Sequence, residues 1–168
     1  MIKEQNLILT GHQVQQIIRR IAFEIYENNF DEKNITIVGI YDKGYSIGEM
    51  IVNQLSEIAP EVKTSLVKLT INKDKPAASE VALDVDSKEL KGKSIVLVDD
   101  VLNSGKTMAY SFKAILDVEV KKLQAAVLVN RSHKRFPVLA NYMGYELSTT
   151  IDEHVEVILG EQKGVYLY

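Results

Sequence analysis

Three stretches of the chain are apolar without alternation: ITIVGI at 35–40, the IVLV of KSIVLVDD at 93–100, and the AAVLV of KLQAAVLVN at 122–130. A strand with no polar face has to be covered on both sides, which is the situation of a parallel strand between two helical layers. The sequence between these runs supplies the helices. From Thr10 the residues Val14, Ile17, Ile18, Ile21, Ala22 and Ile25 recur at the three-and-four spacing of one helical face, Thr10 and Gln13 form a capping-box pair, and the helix runs to about Asn28. A second helix is expected from the Ser46/Glu49 capping-box spacing, with Ile47, Ile51, Leu55 and Ile58 inward and Pro60 as its stop. A third covers 104–117, with Met108, Phe112, Ile115 and Leu116 inward, and a further strand is expected at 62–71. Strands and helices alternating at this spacing predict right-handed crossovers and a three-layer α/β domain: a mostly parallel central sheet flanked by helices.

Two regions depart from the alternation. Residues 72–90 are polar, carry Pro76, and show only a short alternating patch at Val81, Leu83 and Val85, which predicts a lid or binding loop. After Pro137 come NYMGYELS, HVEVIL and GVYLY with no helix between them, so 137–168 is expected to form edge strands or a small hood at one end of the sheet. The 168 residues suit a single domain over 1–168, long enough to bury a core without staples.

Composition then narrows the chemistry. Cysteine is absent, which excludes thiol nucleophiles, disulfides and zinc ribbons and fits a reducing, cytoplasmic setting. His12, His133 and His154 are too scattered for a histidine metal cage, and the net charge of −3 argues against binding nucleic acid over a broad surface. No apolar run approaches the roughly 18 to 20 residues of a membrane span, and the N-terminus MIKEQNLILTG has no cleavable signal pattern.

The chemically informative segment is IVLVDDVLNSGKTM, 95–108. A buried strand delivers Asp99 and Asp100 to the C-terminal edge of the sheet, where open parallel sheets bind ligands. The loop that follows can turn backbone N–H groups toward an anion, assisted by the hydroxyls of Ser104 and Thr107, while Gly105 lets the backbone approach a phosphate closely. Two carboxylates beside a phosphate site require a ligand that also offers hydroxyls or a divalent cation, and a ribose phosphate with Mg²⁺ offers both. GKT at 105–107 also suggests a nucleotide P-loop, but that pattern needs glycine where Asp100 stands. The remaining alternative is an ordinary helix cap after a solvated strand end.

The segment resembles the phosphoribosyl diphosphate (PRPP) motif of type I phosphoribosyltransferases: four apolar residues, two acidic ones, then a loop similar to TGxT in Ser104, Gly105, Lys106 and Thr107. GIYDKGYSIGEMI resembles that family's pyrophosphate loop, and AAVLVNRSHKRFPVLANYMGYELSTT is similar to the corresponding stretch of the pyrimidine operon attenuator and uracil phosphoribosyltransferase proteins. The likeness spans about Thr10 to Thr150. It implies a type I phosphoribosyltransferase fold and a Mg²⁺-dependent transfer of ribose 5-phosphate from PRPP to a nitrogenous base in nucleotide salvage. It further implies catalytic roles for Asp99 and Asp100 at the ribose, with Asp99 near the metal indirectly. The same resemblance assigns the 5′-phosphate to Asn103, Ser104, Gly105, Lys106 and Thr107, and pyrophosphate to Asp42, Lys43 and Gly44. It also points to a cis peptide between Asp42 and Lys43, to a homodimer or higher oligomer, and to a base-selecting hood with Asn130, Arg131, Leu147 and Ile151 as candidates.

Two positions depart from the family. Asn103 stands where hypoxanthine-guanine phosphoribosyltransferases carry aspartate, and an amide cannot act as a general base. Asn130 stands where the attenuator proteins carry an acidic residue. The alternative function is a regulator that senses PRPP or nucleotides and contacts RNA through the basic cluster Arg131, His133, Lys134 and Arg135, a cluster whose plainer reading is a solvated loop. His12 and His154 are expected in surface or cap positions, and Phe23, Tyr41 and Tyr45 in packing.

Overall fold

The computed structural model describes residues 5–168; residues 1–4, on which the expectation about a signal pattern partly rests, lie outside the described residues. In chain order the elements are β1 (Asn6–Thr10), α1 (Gly11–Asn28), β2 (Asn34–Ile40), α2 (Lys43–Ile58), β3 (Lys63–Thr70), β4 (Ala82–Leu83), a 3₁₀ turn (Ser87–Leu90), β5 (Ser94–Leu102), α3 (Lys106–Ile115), β6 (Lys122–Arg131), β7 (Tyr142–Leu147), β8 (Val155–Ile158) and β9 (Gly164–Leu167). Six strands form one sheet in the order β4-β3-β2-β5-β6-β7, parallel except for β4, and a separate antiparallel sheet runs β1-β9-β8.

The non-alternating runs behave as their composition requires. Along β2, Ile35 and Ile37 enter one apolar core while Val38 and Ile40 enter the other; along β5, Val96 and Val98 face the first and Ile95 and Leu97 the second. The first core is closed by Val14, Ile18, Ile21 and Ile25 of α1 and by Ile47, Ile51 and Leu55 of α2, and the second by Met108 and Ile115 of α3 and Leu90 of the 3₁₀ turn. Each such side chain contributes roughly 1.5–3 kcal/mol on burial, so covering both faces is what makes the central strands worth folding. The first helix starts as expected, with Thr10 accepting from Gln13 N and Gln13 Oε1 accepting from Thr10 N.

Several expectations are corrected. The second helix begins at Lys43, not near Ser46, and no Ser46/Glu49 box forms; its first turn instead packs through Gly44 against the end of β5. The third helix ends at Ile115, so Leu116, the C-cap, turns out of the core and is 56% exposed, while Phe112 is only half-buried. Strand β7 is not part of a hood: it extends the main sheet as a parallel edge, reached from β6 without a helix. The hood is β8 and β9 together with β1, a strand the sequence pattern did not announce. The free part of the 72–90 stretch is also shorter, because β4 pairs with β3, and Val81, Leu83 and Val85 pack against the second core.

Candidate active site

Every parallel strand of the main sheet points its C-terminal end the same way, so the segments after β2, β3, β5 and β6 meet at one edge. They surround two adjoining cavities of about 490 and 210 Å³. The larger is lined by Tyr41, Asp42 and Lys43 after β2, by Lys73 after β3, by Asp99, Asp100, Val101, Asn103 and Thr107, by Arg131, and by His154, Val155 and Glu156 of the hood. The smaller is walled by residues 101–108 together with Lys73 and Asp99. Another cavity, about 470 Å³ between residues 76–87 and α3, has no comparable convergence of groups.

Two helices begin at this edge, and in neither does the N-cap residue itself close the helix with its side chain; in α3 the Ser104 hydroxyl takes up Lys106 N alone. Helix α3 starts after Gly105, which is left-handed at φ 84°, and helix α2 starts after Asp42, whose carboxylate caps nothing. Helix α1, by contrast, starts in a complete capping box and does not contribute to these cavities. First-turn N–H groups left without partners, with the positive end of the helix dipole behind them, suit an anion, and both helix starts offer such groups. The α3 loop is held from outside: Ser104 O accepts from Arg135 N at 2.9 Å and Phe136 N at 3.0 Å, and Ser104 Oγ accepts from Lys106 N at 3.2 Å.

The α2 start is pressed against the carboxylates. A Cβ on Gly44 would lie 2.6 Å from Val98 O and 2.9 Å from Asp99 Cα, both backbone atoms that cannot swing aside. Gly44→Ala is therefore expected to cost about 2 kcal/mol of stability, in the range of overpacked sites, and to weaken pyrophosphate binding; denaturant titration and product inhibition measure both. The chain carries a cis peptide between Tyr41 and Asp42, one bond earlier than expected. Asp42 already has helical dihedrals and Lys43 is the first helical residue, so the bond between them belongs to the trans backbone of the helix start.

Asp99 is buried and Asp100 half-buried. Asp99 Oδ1 accepts from Asp100 N at 2.9 Å, and the Lys73 ammonium donates to Asp99 Oδ1 at 3.2 Å and Oδ2 at 3.4 Å while lying 3.8 Å from Asp100 Oδ1. Burial, reinforced by the neighbouring Asp100 carboxylate and only partly opposed by Lys73, pushes Asp99 up from 3.8 to about 8. At Lys73, burial opposes the charge, but Asp99, Asp100 and Asp42 outweigh it and raise its pKa. Because the folded chain retains a proton on Asp99 that the unfolded chain releases near pH 4, this residue costs stability progressively as pH rises from about 4 to about 8. Thermal melts should therefore show wild type losing Tm relative to Asp99→Asn across that window; a pH-independent gap would contradict the assignment.

Sequence reasoning missed Lys73, His154, Val155 and Glu156 at this cavity, and Tyr41, expected in packing, is 51% exposed and lines it as well. Of the hood candidates only Arg131 lines it. Arg131 is buried, and it donates to Thr149 Oγ1 at 2.7 and 3.0 Å and to Glu153 O at 2.9 Å. Burial lowers its pKa, partly offset by Glu153. Asn130 is buried and accepts from Lys134, Leu147 packs on the first core, and Ile151 is 89% exposed, so none of these three lines the cavity. In the basic cluster, Arg131 and His133 both turn toward Thr149, leaving Lys134 and Arg135 exposed.

Residues 4–161 match the phosphoribosyl transferase domain family. The chain belongs to the phosphoribosyl transferase family. Its relatives include proteins named "Bifunctional protein PyrR" from Deinococcus deserti, 34% identical over 94% of this chain and 90% of that one, and from Fusobacterium nucleatum, 32% identical over 96% and 94%. Among solved structures, the hypoxanthine phosphoribosyltransferase of Trypanosoma cruzi superposes with a TM-score of 0.78 at 13% identity, covering 96% of this chain and 95% of that one. A hypoxanthine-guanine phosphoribosyltransferase from Bacillus anthracis superposes at 0.72 and 14% identity, covering 84% and 82%. At such identities the likeness is one of fold. In this phosphoribosyltransferase the acidic pair, the glycine turn and the β2–α2 loop all occupy the C-terminal edge of the sheet.

Among the described residues no group of three or more His, Asp or Glu side chains could hold a metal by itself, and no helix is long and apolar enough to cross a membrane. The acidic pair nevertheless suits a hard cation that takes part of its oxygen shell from substrate and water, and Lys73 already shows a positive charge resting on it.

Proposed function

We propose that this protein transfers the ribose 5-phosphate group of PRPP to a ring nitrogen of a nucleobase, releasing pyrophosphate, in cytoplasmic nucleotide salvage, and that it works with Mg²⁺ as a homodimer or larger assembly. The observation that carries the reading is the pair of helix N-termini, neither closed by its N-cap side chain, flanking Asp99 and Asp100. Their placement suits a ligand with a phosphate at each end and hydroxyls between.

In this reading the backbone from Asn103 to Thr107, with the Ser104 and Thr107 hydroxyls and the Lys106 charge, holds the 5′-phosphate at the start of α3. The backbone of Asp42 and Gly44 and the Lys43 ammonium hold pyrophosphate at the start of α2. Asp99 and Asp100 accept hydrogen bonds from the ribose hydroxyls, fixing the sugar so that C1 faces the hood. As the bond from C1 to pyrophosphate lengthens, positive charge develops on the sugar ring and the Asp100 carboxylate stabilises it. Lys43 stabilises the charge gained by the leaving group. The acidic pair would help to hold Mg²⁺ here, and that ion would supply further neutralisation of the pyrophosphate charge. The base nitrogen forms the new bond to C1 as pyrophosphate leaves, and residues 72–81 keep competing water away. Asn103 cannot accept the proton carried by the attacking ring nitrogen, so that proton passes to solvent or to the departing pyrophosphate.

The test is pyrophosphate release from PRPP and Mg²⁺ with a panel of bases, uracil first. Release with one base supports the reading; PRPP binding without turnover for any base overturns it. A second reading follows from the relatives' name, which declares two activities. It proposes a regulatory contact with RNA through the exposed Lys134 and Arg135, and a steeply salt-dependent affinity for a structured RNA would support it.

A further inference from the structure

Lys73 has no duty in the chemistry above, yet it makes the closest charge contact in the site. It belongs to a segment, 72–80, that is bonded mainly to itself. Asn72 Oδ1 accepts from Asp74 N and Lys75 N at 3.0 Å, and Lys75 O accepts from Ala78 N and Ser79 Oγ. Among the described residues, the hydrogen bonds that leave this segment all come from the Lys73 ammonium. The loop is thus a self-supporting unit, flanked by β3 and β4, with one charged latch.

We propose that Lys73 is a resident cation: in the ligand-free protein its ammonium holds the place that the divalent cation accompanying the substrate takes, and its displacement releases the 72–80 segment from that latch so that it can settle over the bound substrate. Both oxygens of Asp99 lie within 3.4 Å of Nζ, and Asp100 Oδ1 within 3.8 Å. A divalent ion, whether it meets these oxygens directly or through water, cannot stand beside an ammonium at that distance, because two like charges a few ångströms apart repel. Asp99 is too deeply buried to offer its oxygens elsewhere. Lys73, by contrast, is 43% exposed on a flexible stem and can withdraw into solvent. A free cation therefore has to expel the lysine with no other gain. A cation arriving with PRPP is accompanied by new contacts at both helix N-termini, so metal and sugar phosphate bind as a coupled pair.

This inference rests on the transferase reading, and its test is separable from it. Mn²⁺ binding to the ligand-free protein, followed by water-proton relaxation, should be weak in wild type and at least about tenfold tighter in Lys73→Ala. Lys73→Arg, which keeps the charge, should stay weak, and adding Asp100→Asn to Lys73→Ala should remove the gain. Hydrogen exchange of the 72–80 amides should accelerate in Lys73→Ala while that of β3 stays unchanged, which also verifies that the variant is folded. An unaltered Mn²⁺ affinity in Lys73→Ala, an equal gain in Lys73→Arg, or unaltered exchange would overturn the proposal. PRPP affinity measured in parallel on wild type judges the transferase reading by itself, since its loss would leave the Mn²⁺ comparison intact.

Discussion

Asp100→Asn should lower kcat about 10²- to 10³-fold, the usual cost of removing one preorganised charge from a transition state, while PRPP affinity changes far less. The substitution keeps the shape of the side chain and can still accept a ribose hydroxyl through its amide oxygen. What it loses is a full negative charge next to the sugar at the moment the sugar becomes cationic, an interaction absent from the ground state. Asp100 is the better probe of the pair because Asp99 is buried beneath it and also accepts from the Asp100 backbone, so a change at 99 mixes structure with chemistry. Steady-state kinetics against PRPP, paired with equilibrium binding, separate the two effects. Equal losses in kcat and in affinity would reduce Asp100 to a binding group.

Gly105→Val should abolish measurable PRPP binding. At φ 84° the backbone at 105 is left-handed, where a β-branched residue is strained by roughly 1–3 kcal/mol. The added side chain would also meet Phe136 O at 3.2 Å and Val138 Cβ at 3.3 Å, on the segment that braces Ser104. The chain can relieve both problems only by unwinding the turn that aims the first N–H groups of α3, and the 5′-phosphate loses its seat. Isothermal titration and thermal melting together test this: a variant that keeps near-wild-type Tm but no longer binds PRPP shows a local effect, whereas unchanged affinity would remove the loop from the phosphate site. Gly105→Ala, with less bulk, should fall between.

The central strands, the first helix and the acidic edge were legible because they are dictated locally. Continuous apolar runs need two covering layers, and a Thr10/Gln13 box needs only its own backbone. Misplacements occurred where a distant segment decided. The start of α2 is set by Gly44 lying on Val98 and Asp99, which no 43–49 pattern contains. Strand β1 has only a short half-exposed apolar patch and exists because β9 pairs with it. Lys73 could not be singled out by sequence because it is one lysine among several in a polar stretch, and only the fold shows which of them reaches Asp99. The hood candidates suffered similarly: Leu147 went to a sheet edge, while His154, Val155 and Glu156 arrived at the cavity through a strand pairing made at the far end of the chain.

That pairing orders events during synthesis. The phosphate-binding half is built from β2 through β6, neighbours in sequence that can assemble as soon as they emerge from the ribosome. The wall carrying His154 to Glu156 is different, since β8 pairs with β9, and β9 must in turn find β1, the earliest strand made. Contacts so distant along the chain are slow to close and form late. A nascent chain therefore completes the edge that carries Asp99 and Gly105 before the wall that carries His154 to Glu156.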